Sequence, residues 1–314
     1  MKLAELIAPH SLDTFFERHW EREVLHIAPG DGSHYRDLLS RDEAEELVRS
    51  SRRVAGEVRI HRGGERLPPE RCSGPNGYHL PSVFQLYAEG ATLILNGVQD
   101  RQPSIRALGR DMEHELELSV STNMYVTPPD AQGFGPHFDR HDVFVAQIDG
   151  HKRWRLYHSA IELPMHALDE QLEAPIGDVA TPTREVVLAP GDLLYIPRGI
   201  VHEALTESEA SIHLSIGVLA TSYYDLLVEL LGACAIANVD FRRGLPRRCR
   251  SRGLDVDARA HIAALLTHLA TADPDAAMDR LAAKFGDGNT DYRGQRHRLD
   301  DLGGLRRLGV LDQL

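Results

Sequence analysis

Between about residues 91 and 220 the chain repeats one texture: "ATLILNG", "TNMYVTP", "VFVAQIDG", "KRWRLY", "EVVLAPGD", "LLYIP", "SIHLSIGV". Each apolar run is too short for a stable helix, alternates with period two, and is closed by Gly, Pro or Asp. Such runs can satisfy their backbone groups only by pairing with one another. Many short strands at this spacing predict a mainly β core, folded as a sandwich or barrel.

The flanks read differently. In the first fifty residues Leu12, Phe15, Phe16 and His19 share a helical face, and "SRDE", Ser40 to Glu43, has the spacing of a capping box, so N-terminal helices are expected, packed as a cap outside the core. Residues 51 to 90, with "HRGGERLPPERCSGPNG", read as turns with short strands. After Thr221 the chain turns helical again. "YYDLLVELLGACAIANV" is apolar round most of its circumference, which suits either a subunit interface or a helix laid over the barrel. Further on, Ile262, Leu265, Leu266 and Leu269 form one stripe, and Met278, Leu281, Ala282 and Phe285 a second, with Asp273 and Pro274 as cap and first turn and Gly286 beyond the end. The expected organisation is 1–220 as the β domain with its N-terminal helices, 221–255 as a helical segment able to dimerise, and 256–314 as a small helical C-terminal domain.

Composition narrows the function classes. With 47 acidic against 35 basic residues the net charge is −12, which disfavours direct nucleic-acid binding and suits a basic partner such as an Arg/Lys-rich peptide. Cys72, Cys234 and Cys249 are few, odd in number and far apart, so neither a disulfide framework nor a zinc knuckle is expected and a reducing compartment fits. No run of about 18 apolar residues occurs and the N-terminus reaches charged residues too soon for a signal peptide. The expectation is a soluble, cytoplasmic protein with no membrane partner.

The chemistry concentrates in "PHFDRHDVFVAQIDGHKRW", Pro136 to Trp154. On a strand, residues two apart face the same way, so His137 and Asp139 project an imidazole and a carboxylate into one space. Alone, the pair is either two metal ligands or a polar corner before a strand. "PGDLLYIPRGIVHEA", Pro190 to Ala204, adds Gly191-Asp192 opening a strand, a turn at Pro197 and Gly199, and then His202. The two stretches resemble the two motifs of cupin barrels, with Gly150 at the later glycine of the first and Val143 where metal-binding cupins often carry glutamate. His137, Asp139 and His202 then form the two-histidine, one-carboxylate triad of non-haem Fe(II) oxygenases, which leaves a coordination face open. His141, His151, His158, His166 and His261 have no partner at suitable spacing and are expected at solvated positions. In "SIHLSIGV" alternation places Ser211, His213 and Ser215 on one face, lining a pocket or facing solvent.

The stretch "TNMYVTPPDAQGFGPHFDRHDVFVAQIDGHKRWRLY", together with "GDLLYIPRGIVHEA", resembles the JmjC-type 2-oxoglutarate oxygenases of the ribosomal oxygenase, or cupin-4, branch. The resemblance runs from the N-terminal helices to about residue 220. It implies a double-stranded β-helix (jelly-roll, cupin) core, Fe(II) held by His137, Asp139 and His202, and 2-oxoglutarate and O₂ as co-substrates. Lys152 falls where the family pairs a basic residue with the distal carboxylate of 2-oxoglutarate; the alternative is a solvated basic turn of Lys152, Arg153 and Arg155. Asn123 and Tyr125 match positions that help hold the co-substrate, with His213 and Ser215 further candidates. Family members hydroxylate arginine or histidine side chains of ribosomal proteins. A protein or peptide hydroxylase, acting on a ribosomal protein or a biosynthetic peptide and forming a homodimer, is therefore expected. A small-molecule hydroxylase, an N-demethylase and a non-catalytic cupin-fold binding module are the alternatives.

Overall fold

The chain begins with α1 (Leu3–Leu6), α2 (Leu12–Arg18), β1 (Leu25–Ile27), α3 (Arg41–Ser50), β2 (Val58–Arg62), β3 (Glu65–Arg66), β4 (Ser73–Gly74), β5 (Gly77–Tyr78), α4 (Leu80–Ala88), β6 (Thr92–Leu95) and α5 (Pro103–Leu116). The remaining strands are β7 (Ser119–Thr127), β8 (Asp142–Asp149), β9 (Lys152–Ser159), β10 (Arg184–Leu188), β11 (Leu193–Ile196), β12 (Ile200–Leu205) and β13 (Ser211–Leu219). In this computed structural model residues 1–51, 57–74, 77–165, 176, 179 and 181–286 are described. Two units meet in sequence at Ala220 and Thr221.

In the first unit an eight-stranded antiparallel sheet, ordered β1-β11-β8-β13-β7-β6-β2-β3, packs on a three-stranded sheet, β10-β9-β12, giving the jelly-roll core. The period-two pattern of the sequence has a direct outcome here. Phe144, Ala146, Leu193, Tyr195, Leu214 and Ile216 point to one face of the large sheet. Their alternates Val143, Val145, Leu194 and Ile196 point inward, against Trp154, Leu156, Val186 and Leu188 of the small sheet. On β13 and β7 the inward row is polar, and the register pairs Ser211 with Thr127, His213 with Tyr125 and Ser215 with Asn123. A row of polar side chains inside a barrel is costly unless it is hydrogen-bonded or built for a ligand.

The N-terminal helices are not a cap outside the core. Leu3, Leu6, Ile7, Phe15, Leu38, Leu39 and Leu47 belong to the same buried cluster as Phe144, Tyr195 and Ile216, and β1 is an edge strand of the large sheet. The outer face of that sheet is apolar, and burying each large side chain on it contributes roughly 2 kcal/mol, so the helices complete the core. The expected capping box is present: Ser40 Oγ accepts from Glu43 N–H, and Glu43 Oε2 accepts from Ser40 N–H at 2.8 Å. α5 lies inside the stretch read as strands; Ile105, Leu108 and Met112, spaced by three and four, bury one face of it.

Gly150 turns the chain from β8 into β9 with φ +63, and a Cβ there would lie 1.8 Å from the Ala210 carbonyl oxygen. Both the left-handed backbone and the approach require glycine. Gly150→Ala is expected to cost at least about 2 kcal/mol of stability, measured as a lowered denaturation midpoint with unchanged slope.

The second unit comprises α6 (Tyr223–Ala237), α7 (Cys249–Arg252), α8 (Val256–Ala270) and α9 (Asp275–Gly286). Contacts of α6 with α8 and α9 mean that residues 221–255 and 256–286 pack with each other, with Leu230, Cys234, Ala277 and Leu281 buried. Asp273 acts as the expected cap, its Oδ1 accepting from Asp275 N–H at 3.0 Å. Much of the apolar circumference of α6 is exposed: Tyr223 is 86% and Ile236 79% accessible, with Leu227, Val228 and Leu231 also exposed. The terminal "LDDLGGLRRLGVLDQL" and His166 lie outside the described residues. Among the described residues no helix is long and apolar enough to cross a membrane.

Candidate metal centre and its pocket

His137 and Asp139 do not sit on a strand. They lie in the loop between β7 and β8, which is tied to β12 by main-chain bonds: His137 N–H donates to the His202 carbonyl at 3.0 Å and His202 N–H to the His137 carbonyl at 2.7 Å. Gly199 N–H donates to the Asp139 carbonyl at 2.9 Å. This isolated bridge gives the pair the extended backbone that its spacing called for, and sets His202 against it.

One ligand atom from each of His137, Asp139 and His202 lies within 4.8 Å of the others, and His202 Nε2 is 3.6 Å from Asp139 Oδ2. Each histidine has Nδ1 against a main-chain carbonyl, His137 to Gly135 and His202 to Ile200, both at 2.9 Å. A carbonyl only accepts, so Nδ1 carries the proton in each ring and Nε2 keeps its lone pair for a metal. Burial, reinforced by His137 and opposed by Asp139, pushes His202 down to about 4. It is therefore a neutral donor at physiological pH. Two imidazole nitrogens and one carboxylate oxygen on one side of a cavity suit a divalent transition metal with open positions.

Lys152, at the start of β9, projects into the same cavity. Its side chain is buried, Nζ donates to Thr127 Oγ1 at 2.8 Å, and among the described residues no carboxylate pairs with it. Burial alone lowers its pKa to about 7. The reading of Lys152 as part of a solvated basic turn is thereby corrected for this residue; Arg153 and Arg155, alternating with it, do point outward and pair with Glu207 and Glu185. A buried ammonium without a counter-charge complements an anion.

Other candidates divide. His213 lines the cavity, stacked on Tyr125 with ring centroids 4.7 Å apart and planes 8° apart. Burial and the neighbouring Lys152 hold it well below its usual pKa, and its Nδ1 has no hydrogen-bond partner among the described residues. Ser215 also lines the cavity. Asn123 faces the interior beside Ser215, but its Oδ1 accepts from Gly97 N–H at 3.1 Å and it is not among the cavity-lining residues. Of the histidines expected in solvent, His151 and His158 are exposed. His141 and His261 are half-buried; Gly217 leaves room for the His141 ring, which a Cβ would approach to 3.1 Å.

Sequence reasoning missed Thr92, Phe134 and Trp154, all lining the cavity. Trp154 Nε1 is buried with no hydrogen-bond partner among the described residues, and its ring lies 5.9 Å from His202 and 5.6 Å from His213. Phe134 and Trp154 fall inside the quoted motifs, but nothing in their spacing marks either as lining the cavity. Only the barrel's closure aims them at the metal ligands.

Residues 99–226, which include His137, Asp139, Lys152 and His202, match the family model of the JmjC domain. This is a JmjC-domain protein. The JmjC protein is 32% identical over 305 residues to the bifunctional lysine-specific demethylase and histidyl-hydroxylase NO66 of Aedes aegypti, with 90% of its own length and 47% of that protein covered. It is 32% identical over 251 residues to human ribosomal oxygenase 1, with 77% and 39% covered. Within the JmjC family the similarity is thus to the ribosomal oxygenase branch, and the sequence spans less than half the length of these relatives. The Escherichia coli ribosomal oxygenase YcfD shares the fold, with TM-score 0.54, 21% identity, and 83% of the present sequence and 67% of YcfD covered. A structure of YcfD in complex with cobalt and 2-oxoglutarate has TM-score 0.51 and 19% identity over 82% and 66%.

Proposed function

We propose that the protein is an Fe(II)- and 2-oxoglutarate-dependent dioxygenase that hydroxylates a C–H bond of an amino-acid side chain, with a histidyl or arginyl residue of a ribosomal protein as the leading target class. One observation carries the reading: the His137, Asp139 and His202 donors converge beside Lys152, a buried ammonium that no carboxylate among the described residues answers. The names of the relatives support the substrate class, and the complex of YcfD with cobalt and 2-oxoglutarate supports the cofactor set.

In this reading His137, Asp139 and His202 hold Fe(II) through Nε2, a carboxylate oxygen and Nε2. Iron with 2-oxoglutarate and O₂ supplies the oxidant that replaces a C–H hydrogen by hydroxyl. The protein's own part is placement. Lys152, with Thr127 fixing Nζ, receives the distal carboxylate; Tyr125, His213 and Ser215 wall the co-substrate; Asn123 supports that wall through its bond to Gly97. Phe134 and Trp154 exclude water around the ligands.

Residues 221–255 are proposed to form a homodimer contact, favoured by the exposed apolar residues of α6, and 256–314 a small C-terminal domain. Neither nucleic-acid binding nor membrane attachment is part of the proposal, and the cytoplasm is the proposed location. The test is purified protein with Fe(II), ascorbate and 2-oxoglutarate: succinate should form, and mass spectrometry of ribosomal proteins should show a +16 shift on histidine or arginine. Formaldehyde released in stoichiometric amount from N-methylated peptides would favour demethylation. Failure to bind or turn over 2-oxoglutarate would leave a cupin-fold binding module.

A further inference from the structure

We propose that Glu203, acting through Gln132, is a positioning residue for the metal ligand His137. The inference rests on the proposed metal site and concerns how the protein holds one of its ligands.

Glu203 follows His202 on β12 and is buried. Its Oε1 accepts from Tyr157 Oη–H at 2.7 Å, with Arg155 Nη1 3.5 Å away, and its Oε2 accepts from Gln132 Nε2 at 2.7 Å. The same Gln132 nitrogen donates to the Phe134 carbonyl at 2.8 Å. An amide NH₂ has two hydrogens, and both are used. The next carbonyl along, Gly135, accepts from His137 Nδ1–H. A continuous path therefore runs from the Glu203 carboxylate through Gln132 and the Phe134–Gly135 backbone to the imidazole whose Nε2 faces the metal position.

The segment needs such a tie. Phe134 stands between Gly133 and Gly135, and two glycines leave a backbone with wide conformational freedom. Gly133 is itself required, because a Cβ there would lie 2.9 Å from Thr92 Oγ1. Ala131 is anchored to Thr206, and Gln132 pairs with Leu205 across a single bridge and accepts at its carbonyl from Gly63 N–H, but between Gln132 and His137 the loop carbonyls have, among the described residues, only the bond from this side-chain fork and the one from His137 Nδ1–H itself. The carboxylate does not touch the metal position. It sets the direction of a carbonyl that selects the His137 tautomer and ring orientation.

The chemistry also says which substitutions are tolerated. What Gln132 needs is an acceptor oxygen, and Glu203→Gln provides one if its own NH₂ donates to the Tyr157 hydroxyl, which then accepts. Glu203→Ala and Gln132→Ala each remove the fork.

The experiment titrates Co(II) into the full-length protein, following its visible ligand-field band, with thermal melting of each metal-free variant alongside. Gln132→Ala and Glu203→Ala are each expected to raise the Co(II) Kd about tenfold or more, the double variant no further than the worse single, with Glu203→Gln within about threefold of the unsubstituted protein. Unchanged Co(II) affinity in both alanine variants, or losses that add in the double variant, would overturn the proposal while leaving the metal site standing. If the unsubstituted protein does not bind Co(II), the metal reading itself fails and the positioning role goes with it. Because Gln132 is partly exposed, Gln132→Ala decides the matter even if Glu203→Ala does not fold.

Discussion

Replacing His202 with alanine is expected to abolish Co(II) binding at the centre and to lower succinate formation by more than about a hundredfold, since groups merely bonded to a metal ligand are commonly worth 10–100-fold. His202 is the most enclosed of the three donors and is held neutral by burial. No other described histidine or carboxylate joins the group that could take its place. The substitution leaves the main-chain pair between positions 137 and 202 intact, so far-UV circular dichroism should be unchanged. Isothermal titration with Co(II) is the direct measurement. Affinity retained within about threefold would remove His137, Asp139 and His202 as the metal centre.

Lys152→Met is expected to weaken 2-oxoglutarate binding by at least about a hundredfold, as loss of a desolvated charge partner costs several kcal/mol, while making the ligand-free protein more stable. The two effects share one cause. The folded pKa of Lys152 is about 7 against an ordinary value of 10.5. Because the folded value is depressed, the unfolded protein binds more protons between these limits, so stability rises with pH across that window. Below about pH 7 the full penalty of burying the ammonium remains, up to on the order of 5 kcal/mol, and an apolar side chain of similar length removes it. A bound dicarboxylate supplies the missing counter-charge and raises the pKa, so binding above pH 7 takes up a proton. The affinity of the unsubstituted protein should accordingly fall, approaching tenfold per pH unit, between about pH 7.5 and 9. Thermal melting and calorimetric titration across pH test both halves. A destabilised Lys152→Met variant with unaltered 2-oxoglutarate affinity would place the anion elsewhere.

Much of this was legible in the residues. Period-two alternation between 91 and 220 carried the strands, and the His137-x-Asp139 pair with His202 after Pro197 and Gly199 carried the metal group. Other features were hidden for identifiable reasons. α5 shares its stretch of sequence with strands, and its three-and-four spacing of Ile105, Leu108 and Met112 is visible only when a helical period is sought there. The N-terminal helices read as a cap because nothing in their own sequence tells which sheet face lacks a cover. His137 and Asp139 read as a strand although one bridge to His202 supplies the extended backbone.

Spacing along a strand is a covalent property, so wherever the sequence makes a strand it also says which side chains share a face, as His213 does with Ser215 and Lys152 with Trp154. Their environment is not covalent. Only the closure of one sheet over another brought His202 across to His137, withdrew Lys152 from water with no carboxylate among the described residues to pair with it, stacked His213 on Tyr125, and led the bonds of Glu203 through Gln132 to the Gly135 loop. Desolvation and hydrogen-bond direction depend on every element around a group, and those elements come from segments far apart in the sequence.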